Sequence, residues 1–256
     1  MSYQYTQQNR DEYFTQGFTI LRGLIPPSLL TDLRRETDKA RDIARAKYGP
    51  QTQRLQPVYA YDELNHQTFR DFLNLPELQA TVNGILGDDH GQSDIMGVLL
   101  EPSSSAWATN WHRDWVHHDA RVDKVDFEKV MMNPLMFNQF NAPLYDDHSL
   151  WVIPGSHNRL DTEAEKTAFG AIPVPAPKID DSMSLAEREL ICSEYVRQMP
   201  GATPTALFAG DCAFYRSCQW HIGTYVPYTK RATLHDGFYG PEDLAWQLAL
   251  KSAVRN

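Results

Sequence analysis

The chain has 256 residues, a formal net charge of -9 and 42% hydrophobic residues. This length and apolar content are enough for one large domain with a packed core, and the acidic balance, without a Lys/Arg stripe, argues against nucleic acid or an anionic membrane as a partner. Three cysteines without a CxxC pair exclude a disulfide framework and a zinc ribbon, and they predict a reducing compartment.

The two ends of the sequence carry no targeting pattern that we recognise. The opening MSYQYTQQNRDEY is polar and lacks an apolar signal core, and no stretch approaches the length of a membrane span. The closing AVRN does not match a peroxisomal signal of the SKL type. We therefore expect a soluble cytoplasmic protein, and no pattern specifies its oligomeric state.

The first third of the chain predicts one strand and two helices. FTQGFTILRGLI, residues 14–25, contains a short apolar run typical of a strand. The next segment has partly helical spacing of its leucines, with Ser28 placed to cap a helix and Gly49 placed to end it. A second helix is predicted over 76–86, with Pro76 near its start.

The pattern changes at about residue 93, where short apolar runs are separated by Gly, Pro and Asp. Such runs are typical of antiparallel strands. Residues 158–203 interrupt them with many charges and one helical segment, SLAERELICSEYVRQ, and we interpret them as an insertion or lid within a single domain, 1–256. The prediction is an all-β core with flanking helices, a jelly-roll or cupin-like barrel of the double-stranded β-helix type.

The densest chemical motif is WHRDWVHHDA, residues 111–120. Residues i and i+2 of a strand point to the same face, so His112 and Asp114 would project side by side. With a distant histidine they would form the facial triad of non-haem Fe(II) oxygenases, which leaves three coordination positions open. His117 and Asp119 form a second HxD pair that spacing alone does not exclude, and either pair taken alone also fits a surface loop that binds no metal.

A third ligand must come from another strand, and His221 is the candidate. Arg231 lies ten residues further on, at the start of the next apparent strand, so a hairpin would bring the two side chains close together. An arginine there can grip the distal carboxylate of a dicarboxylate cosubstrate with two parallel charge-assisted hydrogen bonds. Considered separately, His221 could also be an ordinary core histidine and Arg231 an ordinary surface charge.

The order of these motifs resembles the phytanoyl-CoA dioxygenase-like (PhyH) family of Fe(II)/2-oxoglutarate oxygenases. The ordered features are WHRDW, SLWVIPGSH, a Gly-Asp pair before a strand, a distal histidine and an arginine ten residues later. The resemblance covers most of residues 12–240. It implies that His112, Asp114 and His221 are the catalytic Fe(II) ligands and that Arg231 binds the C5 carboxylate of 2-oxoglutarate.

The resemblance also suggests further cosubstrate contacts. Many family members have a hydroxyl two residues after the distal histidine, where this chain has Gly223, so Thr224 is the candidate substitute. Asn110 stands where some relatives place a glutamine near the C1 end of the cosubstrate. Gln139, on the strand before the PGSH turn, is a further candidate, although an ordinary strand residue would look the same.

The implied reaction uses Fe(II), 2-oxoglutarate and O2 to hydroxylate, desaturate or cyclise a substrate. Halogenating relatives have Ala or Gly in place of Asp114, so the carboxylate disfavours halogenation. The acidic balance disfavours a CoA ester and favours a small natural-product or amino-acid-like substrate. The alternatives are an acyl-CoA hydroxylase of the phytanoyl-CoA type, and a cupin-like isomerase, hydrolase or binding protein that needs no 2-oxoglutarate.

Several other side chains are candidates for contact with the substrate. His117 and His118 are expected near the pocket mouth, whereas His157 is expected to be structural. Three basic residues near the site in sequence could hold a substrate carboxylate, namely Arg113, Arg216 and Lys230. An apolar pocket wall, or alternatively the protein core, is predicted for Trp107, Trp111, Trp115, Met131, Met132 and Phe137.

Overall fold

The computed structural model describes residues 3–116, 122–169 and 174–252. Within these ranges no helix combines the length and apolar character needed to cross a membrane. The α-helices are α1 (Gln7–Gln16), α2 (Pro27–Tyr48), α3 (His66–Leu73), α4 (Pro76–Leu86), α5 (Lys124–Val130), α6 (Glu163–Phe169), α7 (Leu185–Arg197) and α8 (Pro241–Ser252).

The strands form an antiparallel core. The strands are β1 (Phe18–Leu21), β2 (Arg54–Leu55), β3 (Gly91–Gln92), β4 (Gly97–Leu100), β5 (Trp107–Ala108), β6 (Asn138–Pro143), β7 (Leu150–Val152), β8 (Thr203–Pro204), β9 (Cys212–Arg216), β10 (His221–Tyr225), β11 (Ala232–Asp236) and β12 (Phe238–Tyr239). The larger sheet has the order β1-β9-β6-β11-β4-β2, the smaller has β5-β10-β7-β8, and β3 pairs with β12. This arrangement, with flanking helices, confirms the predicted all-β jelly-roll class.

The two faces of the larger sheet carry different side chains, because successive residues of a strand point to opposite faces. On its outer face, apolar residues such as Phe140, Phe214 and Leu234 pack in the main core with residues of α1 to α4. On its inner face, Gln139 and His235 line a cavity between the sheets. The helical layer therefore stabilises the strands, and the inner face is left for polar side chains.

The early elements match their predictions closely. Strand β1 and helix α4 form where predicted, and Gly49 follows the last residue of α2. Ser28, however, does not cap α2, because the helix already begins at Pro27, a residue whose fixed φ suits the first helical turn. Helix α1 was not predicted, since it has almost no apolar periodicity.

The predicted hairpin between the strands of His221 and Arg231 is wrong. Strand β10 pairs with β5 and β7 in the smaller sheet, whereas β11 pairs with β4 and β6 in the larger one. The chain crosses between the two sheets after Tyr225. The two side chains still face the same cavity, because the sheets lie on opposite sides of it.

The segment 158–203 contributes helices α6 and α7 in its described parts. Helix α7 packs against β5 and β10 of the smaller sheet. Its Tyr195 and Val196 share an apolar cluster with Trp111 and Ile222. A helix thus covers the outer face of the smaller sheet, while the division into one domain with an insertion stays a prediction.

Candidate metal centre

Three side chains predicted from the sequence meet at the inner end of β10. His112 and His221 are joined by an antiparallel bridge, with N–H to O=C distances of 3.1 and 3.0 Å. The Nε2 atoms of the two histidines lie 3.6 and 3.9 Å from Oδ1 of Asp114. One ligand atom from each residue lies within 4.8 Å of the others, which is close enough for all three to bind one ion.

Asp114 reaches this position from a turn rather than a strand. The amide of Val116 donates to the carbonyl of Asp114 at 2.9 Å, and Trp115 between them has a φ of 69°. A positive φ is strained for a bulky residue and often marks a functional site.

Both imidazoles are oriented for metal binding by backbone carbonyls. Nδ1 of His112 lies 2.7 Å from the carbonyl of Asn110, and Nδ1 of His221 lies 2.8 Å from the carbonyl of Gln219. A carbonyl can only accept a hydrogen bond, so each Nδ1 carries the proton and each Nε2 presents its lone pair. Two such imidazoles and one carboxylate are the donor set that suits Fe(II) with open coordination positions.

The carboxylate of Asp114 is held by a chain of hydrogen bonds. The amide nitrogen of Gln139 donates to Oδ2 of Asp114, and the hydroxyl of Tyr215 donates to Oε1 of Gln139 at 2.8 Å. Gln139 therefore reaches the site as predicted, but its contacts are with a candidate ligand. Sequence reasoning missed Tyr215, whose position in an apolar strand, AFYR, gave no signal of this contact.

The candidate ligands and Arg231 line one cavity of about 450 Å³. Nε of Arg231 donates to Oδ2 of buried Asp147 at 2.8 Å. Burial alone would raise the pKa of Asp147, but Arg231, Ser149 and Thr233 together lower it to about 2. Asp147 therefore stays ionised and fixes the guanidinium in place, a role that spacing in the sequence did not reveal.

The hydroxyl of Tyr225 lies where a side chain at position 223 would begin. His221, Gly223 and Tyr225 share one face of β10, and a Cβ built on Gly223 would overlap the Tyr225 hydroxyl. The guanidinium carbon of Arg231 lies 4.6 Å from the centre of the Tyr225 ring. Burial lowers the pKa of Arg231, but Asp147 and Tyr225 outweigh it and raise this pKa.

Thr224 does not reach this cavity. It is adjacent to Tyr225 on the strand and so points to the other face, where its hydroxyl lies 3.5 Å from the carbonyl of Ser149. The structure thus places Tyr225, and not Thr224, beside Arg231 in this cavity, against the expectation for Thr224. Asn110 does line the cavity, and its amide donates to the carbonyl of Val174 at 3.0 Å.

The remaining histidines separate into distinct environments. Nε2 of buried His157 lies 3.1 Å from the carbonyl of Phe14, and burial lowers its pKa to about 4, as suits the predicted structural role. His235 lines the cavity with Nδ1 2.7 Å from Oδ1 of Asn141, and burial followed by nearby Arg54 lowers its pKa to about 3. His117, His118 and Asp119 lie outside the described residues.

The predicted apolar contacts are divided between cavity and core. Trp107 lines the cavity with the triad, and Trp115 and Phe137 line an adjoining one. Trp111 and Met131 are buried in apolar clusters, whereas Met132 is exposed.

A model of the family described as phytanoyl-CoA dioxygenase (PhyH) matches residues 13–224. The chain belongs to this family. It is therefore an Fe(II)- and 2-oxoglutarate-dependent dioxygenase that uses O2. The PhyH match ends one residue before Tyr225 and does not reach Arg231.

Solved structures with the same fold are distant in sequence. AviO1 from Streptomyces viridochromogenes Tue57 has a TM-score of 0.59 at 15% identity, over 92% of this chain and 95% of that one. EctD from S. alaskensis, solved with 2-oxoglutarate and 5-hydroxyectoine, has a TM-score of 0.61 at 15% identity, over 93% of this chain and 77% of that one. The non-haem α-ketoglutarate-dependent epimerase SnoN from nogalamycin biosynthesis has a TM-score of 0.56 at 14% identity, over 91% of this chain and 82% of that one. No curated protein gives a significant sequence match.

Proposed function

We propose that this PhyH protein oxidises a small natural-product or amino-acid-like substrate, with His112, Asp114 and His221 as the iron ligands. The observation that carries the proposal is that the three donor atoms and a buried arginine line one cavity. A binding module would have no need of both features. An isomerase or hydrolase on this barrel would have no need of the arginine.

The residues around the triad would bind and orient the reactants. Bound Fe(II), with 2-oxoglutarate and O2, supplies the oxidising power while 2-oxoglutarate becomes succinate and CO2. Arg231 uses Nε for Asp147 and also hydrogen-bonds the Tyr225 side chain, and its terminal nitrogens form the edge that we assign to the C5 carboxylate. Gln139 and Tyr215 hold Asp114 so that Oδ1 faces the imidazoles. Asn110 is placed to meet the C1 end.

The natural-product class is favoured by two lines of support. Two structures of similar fold, the epimerase SnoN and the carbocyclase SnoK, are from nogalamycin biosynthesis. In addition, the described lining of the two cavities at the triad contains Arg54 and Arg231 but no lysine, which is a poor match for the phosphates of a CoA ester. Acyl-CoA hydroxylation is therefore the less favoured alternative.

The proposed function is tested first without oxygen. Fe(II) and then 2-oxoglutarate are added to the apo protein, and we expect the visible charge-transfer band that a chelating 2-oxo acid gives on Fe(II) in a facial-triad site. Succinate, which lacks the 2-oxo group, serves as the matched control. Iron binding without the band would instead favour a reaction that does not use 2-oxoglutarate.

Tyr225 is expected to assist Arg231 in binding the cosubstrate. Replacing it with phenylalanine removes one hydrogen-bonding group beside the C5 carboxylate, so the KM for 2-oxoglutarate should rise by roughly tenfold, with less change in kcat. The double variant Gly223→Ser/Tyr225→Ala places a hydroxyl at position 223 and removes the whole Tyr225 ring, whose Cζ would otherwise lie 2.5 Å from the new Cβ. We expect this variant to recover most of the loss, and a failure of both effects would remove the assignment of Tyr225.

A further inference from the structure

A second cavity, of about 600 Å³, adjoins the first. Asp114, Gln139 and His235 line both cavities, so a molecule in the second would lie beside the candidate metal centre. Its other walls come from the loop before β4, from β12 and from α8. We name it the acidic chamber, because Asp94, Asp236 and Asp243 line it in addition to Asp114.

The chamber combines carboxylates with aromatic rings. Trp115, Phe137 and Tyr239 are among its lining residues. No lysine or arginine is found among the lining residues that the structure describes. The histidine in its wall, His235, has a pKa lowered to about 3 by burial and then by Arg54, so it contributes no positive charge. The described wall therefore carries negative charge and aromatic faces, a combination that suits a cation.

Asp236 is the carboxylate that most needs a partner. Only 5% of the residue is exposed, and Oδ1 accepts a hydrogen bond from the amide of Gly237 at 2.8 Å. Oδ2 is buried and has no hydrogen-bond partner among the described residues. Burial raises the pKa of Asp236 to about 6 and outweighs the lowering effects of the Gly237 amide and of the Ser93 side chain, which lies nearby without meeting Oδ2 at hydrogen-bond geometry. A buried carboxylate oxygen without a donor is costly unless a ligand satisfies it.

The other two carboxylates differ from Asp236. Asp243 is buried and engaged, since it accepts from the amide of Phe137 at 3.2 Å and from the side chain of Gln247 at 3.1 Å. Asp94 is exposed at the chamber wall. The set thus offers one inner carboxylate for direct contact, one outer carboxylate for attraction and one that supports the wall.

The basic residues expected to hold a substrate carboxylate are engaged elsewhere. Arg113 donates to the carbonyls of Ser156 and Cys218 and pairs with Asp161 at 2.9 Å. Lys230 pairs with Asp38 at 2.8 Å. Arg216 is buried and donates to the backbone carbonyls of Met131, Asn133 and Met136. None of the three lines the chamber, so the expected carboxylate site is not formed by them.

We infer that the acidic chamber binds a substrate through a protonated amine, with Asp236 as the direct partner and Asp94 adding attraction at the wall. This inference rests on the proposed function, because it treats the chamber as the substrate site of the oxygenase. A hydroxyl group would satisfy Oδ2 of Asp236 but would leave its charge uncompensated, whereas an ammonium group satisfies both. The aromatic rings would bind the carbon skeleton of the substrate and add cation–π attraction.

The experiment compares three probes that share a phenol ring and differ in one group. Tyramine carries an ammonium, tyrosol a hydroxyl and 4-hydroxyphenylacetate a carboxylate. Each is titrated anaerobically into the Fe(II)/2-oxoglutarate complex, and binding is followed by the change in the charge-transfer band and by ligand-observed NMR. We expect tyramine to bind roughly tenfold more tightly than tyrosol, because a hydrogen bond gains strength when donor and acceptor are both charged. The carboxylate should bind most weakly.

Asp236→Asn keeps the size and the acceptor for the Gly237 amide but removes the charge. It should weaken tyramine binding by roughly tenfold while leaving tyrosol and 2-oxoglutarate binding unchanged. Asp89→Asn, a neutralised exposed acid outside the chamber, is the matched control. Equal binding of tyrosol, no tyramine binding at millimolar concentration, or an unchanged Asp236→Asn variant would overturn the inference. If the band itself never forms, the proposed function fails first, and the two failures are distinguished.

Discussion

Replacing His112 with alanine is expected to abolish Fe(II) binding at micromolar metal and to remove all oxygenase activity. Its Nε2 lies 3.6 Å from Oδ1 of Asp114, and its Nδ1 is committed to the carbonyl of Asn110, so the nearby backbone offers no replacement ligand. Loss of one ligand of three should lower the affinity by more than about 100-fold, since even residues that only support the ligands contribute 10–100-fold. Anaerobic calorimetry with Fe(II) measures the change.

His117→Ala is the matched control for this experiment. It removes an imidazole of the second HxD pair and should retain most of the iron affinity. Thermal unfolding of both apo variants should stay close to that of the parent chain, because neither substitution removes an apolar side chain. If the two variants lose iron equally, or if only His117→Ala loses it, the pair His117 and Asp119 belongs to the metal site and the assignment of His112 is wrong.

Replacing Arg231 with alanine is expected to raise the KM for 2-oxoglutarate by roughly 100-fold or more. Two charge-assisted hydrogen bonds to the C5 carboxylate are lost, each worth about 1.5–3 kcal/mol. Iron affinity should change little, since Arg231 does not contact the triad through any described hydrogen bond. Steady-state release of succinate, measured over a range of 2-oxoglutarate concentrations, provides the KM.

The same substitution also removes the partner of Asp147, which complicates a single variant. Asp147 is buried, and the pair with Arg231 helps to hold its pKa at about 2, so the lone carboxylate should destabilise the fold. Asp147→Asn added to Arg231→Ala removes this uncompensated charge. We expect the double variant to regain thermal stability while its KM stays high. A KM that returns to the parent value would mean that Arg231 acts only through the fold.

The grouping of the three candidate ligands was predictable because these residues carry their signal locally and in a fixed order. The pair His112 and Asp114, then the distal His221, and then Arg231 after ten residues form a pattern that survives the wrong hairpin between β10 and β11. The order of the motifs reflects how the complete barrel brings its strands together. The hairpin, in contrast, was inferred only from the short distance in sequence between His221 and Arg231. The sequence could therefore indicate which residues meet without indicating which strands pair.

The supporting residues were not predictable in the same way. Asp147, Tyr215 and Tyr225 act through contacts with residues far from them in sequence or on another strand face, and each looks ordinary in its own segment. Gly223 carried the only hint, as a departure from the family pattern. It indicated that a hydroxyl was missing but not that Tyr225 would reach back two residues along the same face to supply one.

Helix α1 and the start of α2 show a different limit. Polar helices such as α1 have little periodicity to detect, and their stability comes from packing against neighbours. Here Tyr13 stacks on Phe214 at 5.2 Å between ring centres, a contact that exists only once β9 is in place. Local patterns indicated α2, α4 and α7, but they missed α1, whose buried ring is Tyr13, and also α3, although it buries Phe69, Phe72 and Leu73.

The alternation of faces on the larger sheet has a consequence for how such an enzyme can change over time. Phe140 and Leu234 pack against the helices, while their immediate neighbours Gln139, Asn141 and His235 line the cavity at the candidate metal centre. A mutation at an inner position alters what the cavity accepts without removing atoms from the helical core. New substrates can thus be acquired by single steps that leave folding largely untouched, and one scaffold can diversify into many reactions.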